Sequence, residues 1–235
     1  MSEKKETKNN IDFSIVIPVY NEEEFLEKCL QCCFAQKGNF NFEVIVVDNN
    51  STDNSVEIAK NFPVKILYEK MQSVGATRRL GTGQARGDII INIDADTRLP
   101  IDFLSQVYDR FQKNKKLVCV GAQATFYDGS LLLNLIRPFL YYSLEFITRV
   151  LSFGRVGPLC NSMAFKKTDY DKVFGFKKEI TFGEDANLTY QLSRFGKIKL
   201  DMSLECQISA RRFVFDRRLW EYFKKWINVV TGDYK

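Results

Sequence analysis

Over the first hundred residues the chain alternates two patterns. FSIVIPVY (13–20), FEVIVVD (42–48), VKILYE (64–69) and DIIINID (88–94) are short, almost continuously apolar runs, the pattern of strands buried on both faces. Between them polar and apolar residues mix at helical spacing. NEEEFLEKCLQCCF predicts a helix capped by Asn21 with acidic residues in its first turn, and SVEIAKNF a second helix after the capping-rich loop NNSTDNS. SVGATRRLGTGQARG predicts a third, with small residues that permit close packing. Strands alternating with helices in this way predict βαβ units, a mostly parallel sheet and one α/β domain.

From Leu117 the pattern loosens. LVCVGAQATFY predicts a further strand, Ser130 to Phe153 amphipathic helices, and GPLCNSMAFKK (157–167) a strand entered by a Gly-Pro turn. EDANLTYQLSRFG (184–196) predicts a helix with Leu188, Leu192 and Phe195 facing inward and Gly196 as its C-cap, which puts Glu184 and Asp185 at its amino end. No internal repeat or linker marks a boundary. The expected organisation is a loose polar tail over 1–11, a single domain over 12–210 divided into halves at 12–100 and 101–210, and a basic, aromatic helix over 211–235.

In open α/β sheets ligands sit beyond the carboxyl ends of the strands. Three such ends carry polar groups here: Tyr20-Asn21-Glu22, Asp48-Asn49-Asn50 and Asp94-Ala95-Asp96. Fold logic brings them to one crevice, which makes the first hundred residues a nucleotide-binding half. Asp94 and Asp96 would project to one side of an extended segment with Ala95 turned away. Two hard oxygen ligands at that spacing suit Mg2+ or Mn2+, which bridges diphosphate oxygens. The alternative is local: Asp94 to Thr97 could cap the helix that Pro100 and Asp102 suggest, and Asp48 could equally be a cap.

Composition narrows the chemistry. A chain of 235 residues, 45% hydrophobic and 27% charged, can bury one large core. There is no histidine, so a Ser-His triad and a histidine-ligated zinc are excluded, and acid–base work falls to carboxylates, Lys, Tyr or Cys. The net charge of +5 suits a diphosphate or an acidic headgroup but lacks the dense basic block of a nucleic-acid binder. Cys29, Cys32 and Cys33 cluster on one helix without the ligands to complete a zinc site, so the six cysteines are expected as reduced, mostly buried thiols. With no signal-peptide pattern in MSEKKETKNN, this predicts a cytoplasmic protein. The block from Ser130 to Phe153 is interrupted by Arg137, Pro138, Glu145 and Arg149 and is not a spanning segment.

SIVIPVYNEE, FEVIVVDNNSTDNS, ATRRLGTGQARGD, INIDADTRLP and GEDANLTYQL occur in the order and approximate spacing of the family 2 glycosyltransferases, which have the GT-A fold, and the resemblance runs from residue 12 to about 200. It implies an inverting, metal-dependent transfer of a sugar from a nucleotide-diphosphate donor to a hydroxyl or phosphate acceptor. Pro18, Tyr20 and Glu22 match positions at the edge of the nucleotide pocket, Asp48 the aspartate that reads the base with Asn50 beside it, and Arg78 the arginine of the family's Ala-Arg-Asn-x-Gly segment. The usual Asn of that segment is Arg79 here. Asp94-Ala95-Asp96 matches the Asp-x-Asp, with Asp94 near ribose and metal and Asp96 a direct ligand of Mg2+ or Mn2+.

Glu184 and Asp185 match the Glu-Asp motif whose aspartate is the general base, while Asn187 stands where many relatives have a further Asp. Pro158, Asn161 and Met163 match the acceptor-side loop, which makes 101–210 the acceptor-side half. Arg211 and Arg212 could clamp the departing diphosphate or be solvated charge. The tail RRFVFDRRLWEYFKKWINVV combines aromatic residues and cations, as an interfacial helix or a helix packed on the domain would. With the 130–153 block it is compatible with peripheral contact at the inner face of a membrane and a lipid-linked acceptor. Two rivals share the alternating start: a catalytically silent nucleotide-sugar or membrane-binding module, and a sugar nucleotidyltransferase. The latter would need a Gly-rich phosphate loop after the first strand, where Pro-Val-Tyr-Asn-Glu-Glu stands.

Overall fold

The apolar runs become the strands of one twisted sheet. The computed structural model describes residues 11–157, 162–180 and 182–211, and every structural statement below refers to these. The strands are β1 (Phe13–Val19), β2 (Phe42–Asp48), β3 (Lys65–Tyr68), β4 (Ile89–Ile93), β5 (Leu117–Phe126), β6 (Ser162–Lys166) and β7 (Lys197–Ile208), in the spatial order β3-β2-β1-β4-β6-β5-β7. β6 runs antiparallel to β4 and β5, and the remaining pairings are parallel. Six strands therefore end at one edge of the sheet, and β6 begins there, with Ser162 paired to Ile93. That edge is where a ligand crevice forms.

Helices α1 (Leu26–Phe34), α2 (Ser55–Lys60), α3 (Val74–Gly83), α4 (Phe103–Lys113), α5 (Leu131–Leu151), α6 (Lys167–Tyr170) and α7 (Glu184–Leu192) complete the chain. Because strand side chains alternate, each apolar run serves two cores. Ile15, Ile17, Ile91 and Ile93 meet Leu26, Cys29 and Leu30 of α1 and Phe103, Leu104 and Val107 of α4 on one face. Val16, Ile45 and Ile90 meet Leu80 of α3 and Leu188 and Leu192 of α7 on the other. Burial on both faces is the physical reason these strands are apolar nearly throughout.

Several expectations are corrected. Asn21 does not cap α1: it takes a left-handed conformation (φ 54°), and the helix starts five residues later at Leu26. The 130–153 block is one 21-residue helix, α5, with Pro138 inside it. α7 ends at Leu192 with Ser193 as C-cap, so Gly196 is not the cap and Phe195 is exposed rather than inward. Lys197 instead donates to the backbone oxygen of Lys116 and starts β7, an edge strand not among the elements predicted from the pattern. Met163 is a core residue, 1% exposed, pairing with Asn92 and Gly121 inside the sheet, so its side chain cannot face an acceptor. Pro158, Asn161, Arg212, the tail over 1–10 and the helix proposed beyond Arg211 lie outside the described residues. The thiols of Cys29, Cys33, Cys119 and Cys206 are free and buried, and Cys32 is free and half-buried.

Candidate active site

Two loops at the carboxyl edge are stitched together by their own polar residues. The Asn21 Oδ1 accepts from the backbone N–H of Thr52, and the backbone N–H groups of Asn21 and Glu22 donate to the hydroxyls of Ser51 and Ser55. This fixes the β1–α1 loop against the β2–α2 loop and leaves Tyr20 half exposed at the rim. Asp48, the last residue of β2, is buried, with its carboxylate near the Ser51 N–H at 3.3 and 3.4 Å. Asn49 donates to the carbonyls of Glu69 and Met71 and accepts from the Ser73 N–H, while Asn50 donates to Glu69 and Lys70 carbonyls. The wall below Asp48 is thus built by asparagine amides acting as backbone surrogates.

The Asp-x-Asp follows β4 in a turn closed by the Thr97 N–H on the Asp94 carbonyl. Ala95 is buried in the core beside α1, so its methyl is unavailable to a ligand. Asp94 Oδ1 accepts from Arg78 Nη2 at 2.7 Å, and Arg78 Nε lies 3.3 Å from Glu184 Oε1. One buried guanidinium from α3 therefore joins the end of β4 to the start of α7. Asp96 Oδ2 lies 3.4 Å from Arg211 Nε, and the same guanidinium pairs with Glu22 and sits 4.1 Å above the Phe25 ring. Arg211 is delivered there because Arg98 and Gln207 exchange backbone hydrogen bonds, tying the end of β7 to the segment after Asp96. Pro18, inside β1, takes its place beneath this edge opposite Val47.

Gly183 introduces α7 in the left-handed conformation (φ 79°) that only glycine adopts without strain, and Glu184 and Asp185 follow in the first turn. The Asp185 carboxylate accepts from the Ala186 N–H at 2.7 Å. Its pKa is pushed up to about 7, first by burial and then by the neighbouring Glu184 charge, against the opposing pull of the Ala186 N–H and Arg78. Burial also raises Glu184, with Arg78 opposing. A carboxyl group that titrates near neutrality is suited to taking a proton.

The residue in place of the family's usual Asn has a different employment. Arg79 turns away from the crevice and donates to the carbonyls of Phe174 and Phe176 at 2.8 and 2.9 Å. The loop it holds lies across the amino end of α3, where Ser73 Oγ donates to the Lys178 carbonyl. A Cβ on Gly75 would stand 2.3 Å from the Lys177 oxygen, so only glycine permits the approach. Asn187 is likewise structural: it accepts from Gln191 Nε2, which also donates to the Gly175 carbonyl. Sequence reasoning missed this support for Gly183 to Asp185, although Ser73-x-Gly75 at a helix start was a readable sign of close backbone approach.

Asp94 and Asp96 are the residues that could hold Mg2+ or Mn2+. No group of three or more carboxylates and thiols forms a protein-only cage among the described residues. Two carboxylates at a strand end nonetheless fit Mg2+, which characteristically takes one or two protein carboxylates and completes its shell with phosphate and water. Their present partners, Arg78 and Arg211, are cations that a diphosphate would also attract.

A mostly parallel sheet with paired carboxylates and arginines at its carboxyl edge defines an open α/β protein with its polar groups where such sheets bind ligands. Residues 14–174 match the family described as Glycosyl transferase family 2, and the chain belongs to that family. Its architecture is the GT-A fold. It is 31% identical over 121 residues to the glycosyltransferase GlyA of Streptococcus pneumoniae serotype 4, covering 49% of this chain and 17% of that protein. The fold is similar to S. aureus TarS 1–349 in complex with UDP-GlcNAc (TM-score 0.68, 16% identity, 95% of this chain and 66% of that one). It is also similar to the mannosyltransferase PcManGT of Pyrobaculum calidifontis in complex with GDP-Man and Mn2+ (TM-score 0.67, 18% identity, 94% and 61%). The chain spans well under half the length of GlyA and of other curated relatives it matches.

Proposed function

We propose that this domain transfers a sugar, with inversion, from a nucleotide-diphosphate sugar to a hydroxyl or phosphate acceptor. The observation that carries the reading is the Arg78 bridge: it holds Asp94, of the metal-type motif, and Glu184, beside the candidate base, on one guanidinium. The donor class is supported by TarS and PcManGT, solved with UDP-GlcNAc and GDP-Man respectively.

In this reading Asp48 faces the base and Tyr20 and Glu22 edge the nucleotide. Asp94 and Asp96 would hold Mg2+ or Mn2+, which when bound neutralises charge gathering on the leaving diphosphate. Asp185 accepts the proton of an acceptor hydroxyl as its oxygen bonds to the anomeric carbon and the bond from that carbon to the diphosphate oxygen breaks. An ionised phosphate acceptor needs no such proton transfer. Arg78 and Arg211 supply fixed positive charge on either side of the Asp-x-Asp. A single displacement needs no covalent sugar–enzyme intermediate.

A thermal-shift panel of nucleotide sugars with and without Mg2+ or Mn2+ tests the donor assignment. The reading expects one donor to stabilise the protein in a metal-dependent manner, and Asp96→Ala to remove that effect; stabilisation by no donor would refute it. Donor hydrolysis in the presence of Mn2+ separates an enzyme from a silent nucleotide-sugar-binding module.

A further inference from the structure

Helix α5 is inside out. Asn134 exchanges hydrogen bonds with the backbone of Phe126, Arg137 donates to the Ala124 carbonyl and lies over the Phe126 and Tyr141 rings, and Glu145 is buried. Arg149 reaches inward to Glu145 and to the Ile198 carbonyl. Among the described residues the opposite side is apolar and exposed. Leu132, Leu135, Phe139, Phe146 and Val150 are all exposed, Phe139 to 76%, and the face continues into Phe153 at 90%. None of the described exposed positions of α5 carries a charge. At 1.5 Å per residue the 21-residue helix offers this face over roughly 30 Å.

We propose that the outer face of α5 seats the domain on an anionic lipid surface. The charges around the helix select this occupant. At its carboxyl end Arg155 and Arg194 line one pocket with Tyr190 and Ser193, and exposed Lys197 stands beside Ile198, whose carbonyl Arg149 holds. Cations at the end of an uncharged apolar helix face complement a bilayer interface, where that face sinks into the headgroup boundary and the cations meet anionic headgroups. A protein partner would ordinarily be specified by hydrogen-bonding groups around an apolar centre. The outer side of α5 supplies just Tyr142 and Ser143 for that purpose among its described residues.

The placement extends the proposed transfer reaction, on which its acceptor side rests. After α5 the chain re-enters the sheet at Ser162, paired with Ile93, one residue before Asp94. The amino end of α5 also stands at this edge of the sheet, where Asn134 holds Phe126, the last residue of β5, and the acceptor class that a bilayer under α5 fits is a phosphate or hydroxyl presented on a lipid.

The test is co-sedimentation of the full chain with phosphatidylcholine vesicles, with and without phosphatidylglycerol, for wild type and for the triple variant Leu135→Glu, Phe139→Glu, Phe146→Glu. Thermal unfolding and the donor thermal shift are recorded for both. The wild type should bind the anionic vesicles at least about tenfold more tightly than the neutral ones, and the triple variant should lose about tenfold or more with its donor response unchanged. Should the triple variant not fold, the single changes Phe139→Glu and Phe153→Glu carry the same expectation at smaller size. The proposal is overturned by wild type that ignores vesicles, by variants that bind as wild type does, or by a wild-type dimer that the variants split without any vesicle binding. It is also overturned if Trp220→Ser with Trp226→Ser abolishes vesicle binding while the triple variant keeps it. Absence of any donor response in the wild type would instead sink the transfer reaction and leave the vesicle result standing.

Discussion

Replacing Asp185 by Asn should end transfer and, at alkaline pH, make the protein more stable. The Asp185 carboxyl has its pKa raised from 3.8 to about 7 in the folded protein by burial and by Glu184. The unfolded chain therefore gives up the proton first. Relative to a side chain that does not titrate, the stability contributed by the native carboxyl is fully present below 3.8, falls as pH rises toward 7, and is flat above. The slope is about 1.4 kcal/mol per pH unit, and about two units of it lie between about pH 5 and about pH 8. That sets an upper bound of about 3 kcal/mol on the pH-dependent gain of the variant. Asp185 is partly exposed and its titration depends on the charge of Glu184, so roughly half is expected, a Tm difference widening by ~3–6 °C from the lower pH to the higher. Asn can still accept from the Ala186 N–H, which leaves the start of α7 intact. Thermal unfolding of both proteins in chelator, at the two pH values, measures it. A variant less stable than wild type by the same amount at both pH values would refute the reasoning, as would a gap that narrows as pH rises.

The remaining predictions follow from the same geometry. With a hydroxyl acceptor, kcat/KM should fall tenfold per pH unit below an apparent pKa near 7, because Asp185 must be ionised to take a proton; a flat profile from pH 5 to 8, at roughly constant metal loading, would exclude that role. Asp96→Ala should reduce Mn2+ affinity by at least about tenfold in a calorimetric titration with donor present, since it deletes one of two carboxylate ligands. Arg79→Ala frees the carbonyls of Phe174 and Phe176 and should lower kcat by ~10–100-fold with donor KM nearly unchanged, and Arg79→Lys should recover part of the loss. An equal rise in donor KM would instead place Arg79 in the donor pocket.

The half of the fold that alternates β and α was legible because β1, β2 and β4 are buried on both faces and leave nearly continuous apolar runs. β7 was readable in a different code. Ile198, Leu200, Met202, Leu204, Cys206 and Ile208 alternate with polar residues, the period of an edge strand with one face on the core, and a bulge opposite Ala122 and Gln123 shifts the register partway along. Strand order was not legible, since nothing local states that β6 inserts between β4 and β5 in the reverse direction. At the site, motifs located Asp48, Arg78, Asp94, Asp96, Glu184 and Asp185 at the crevice edge. They did not locate the bracing by Asn49, Ser73, Gly75 and Arg79, because these residues act on carbonyls about 20 to 100 positions away. Met163 misled for a related reason: a motif assigns a position but not the face of the strand on which its side chain falls.

The central claim is a single displacement assisted by Asp185. The most direct measurement is proton NMR of the sugar first released when the enzyme hydrolyses its α-linked nucleotide-sugar donor in the presence of Mn2+, before the anomers equilibrate. The account predicts that the β anomer appears first and that Asp185→Asn abolishes its release. Initial appearance of the α anomer would contradict single displacement, and undiminished β release by the variant would remove Asp185 from the reaction.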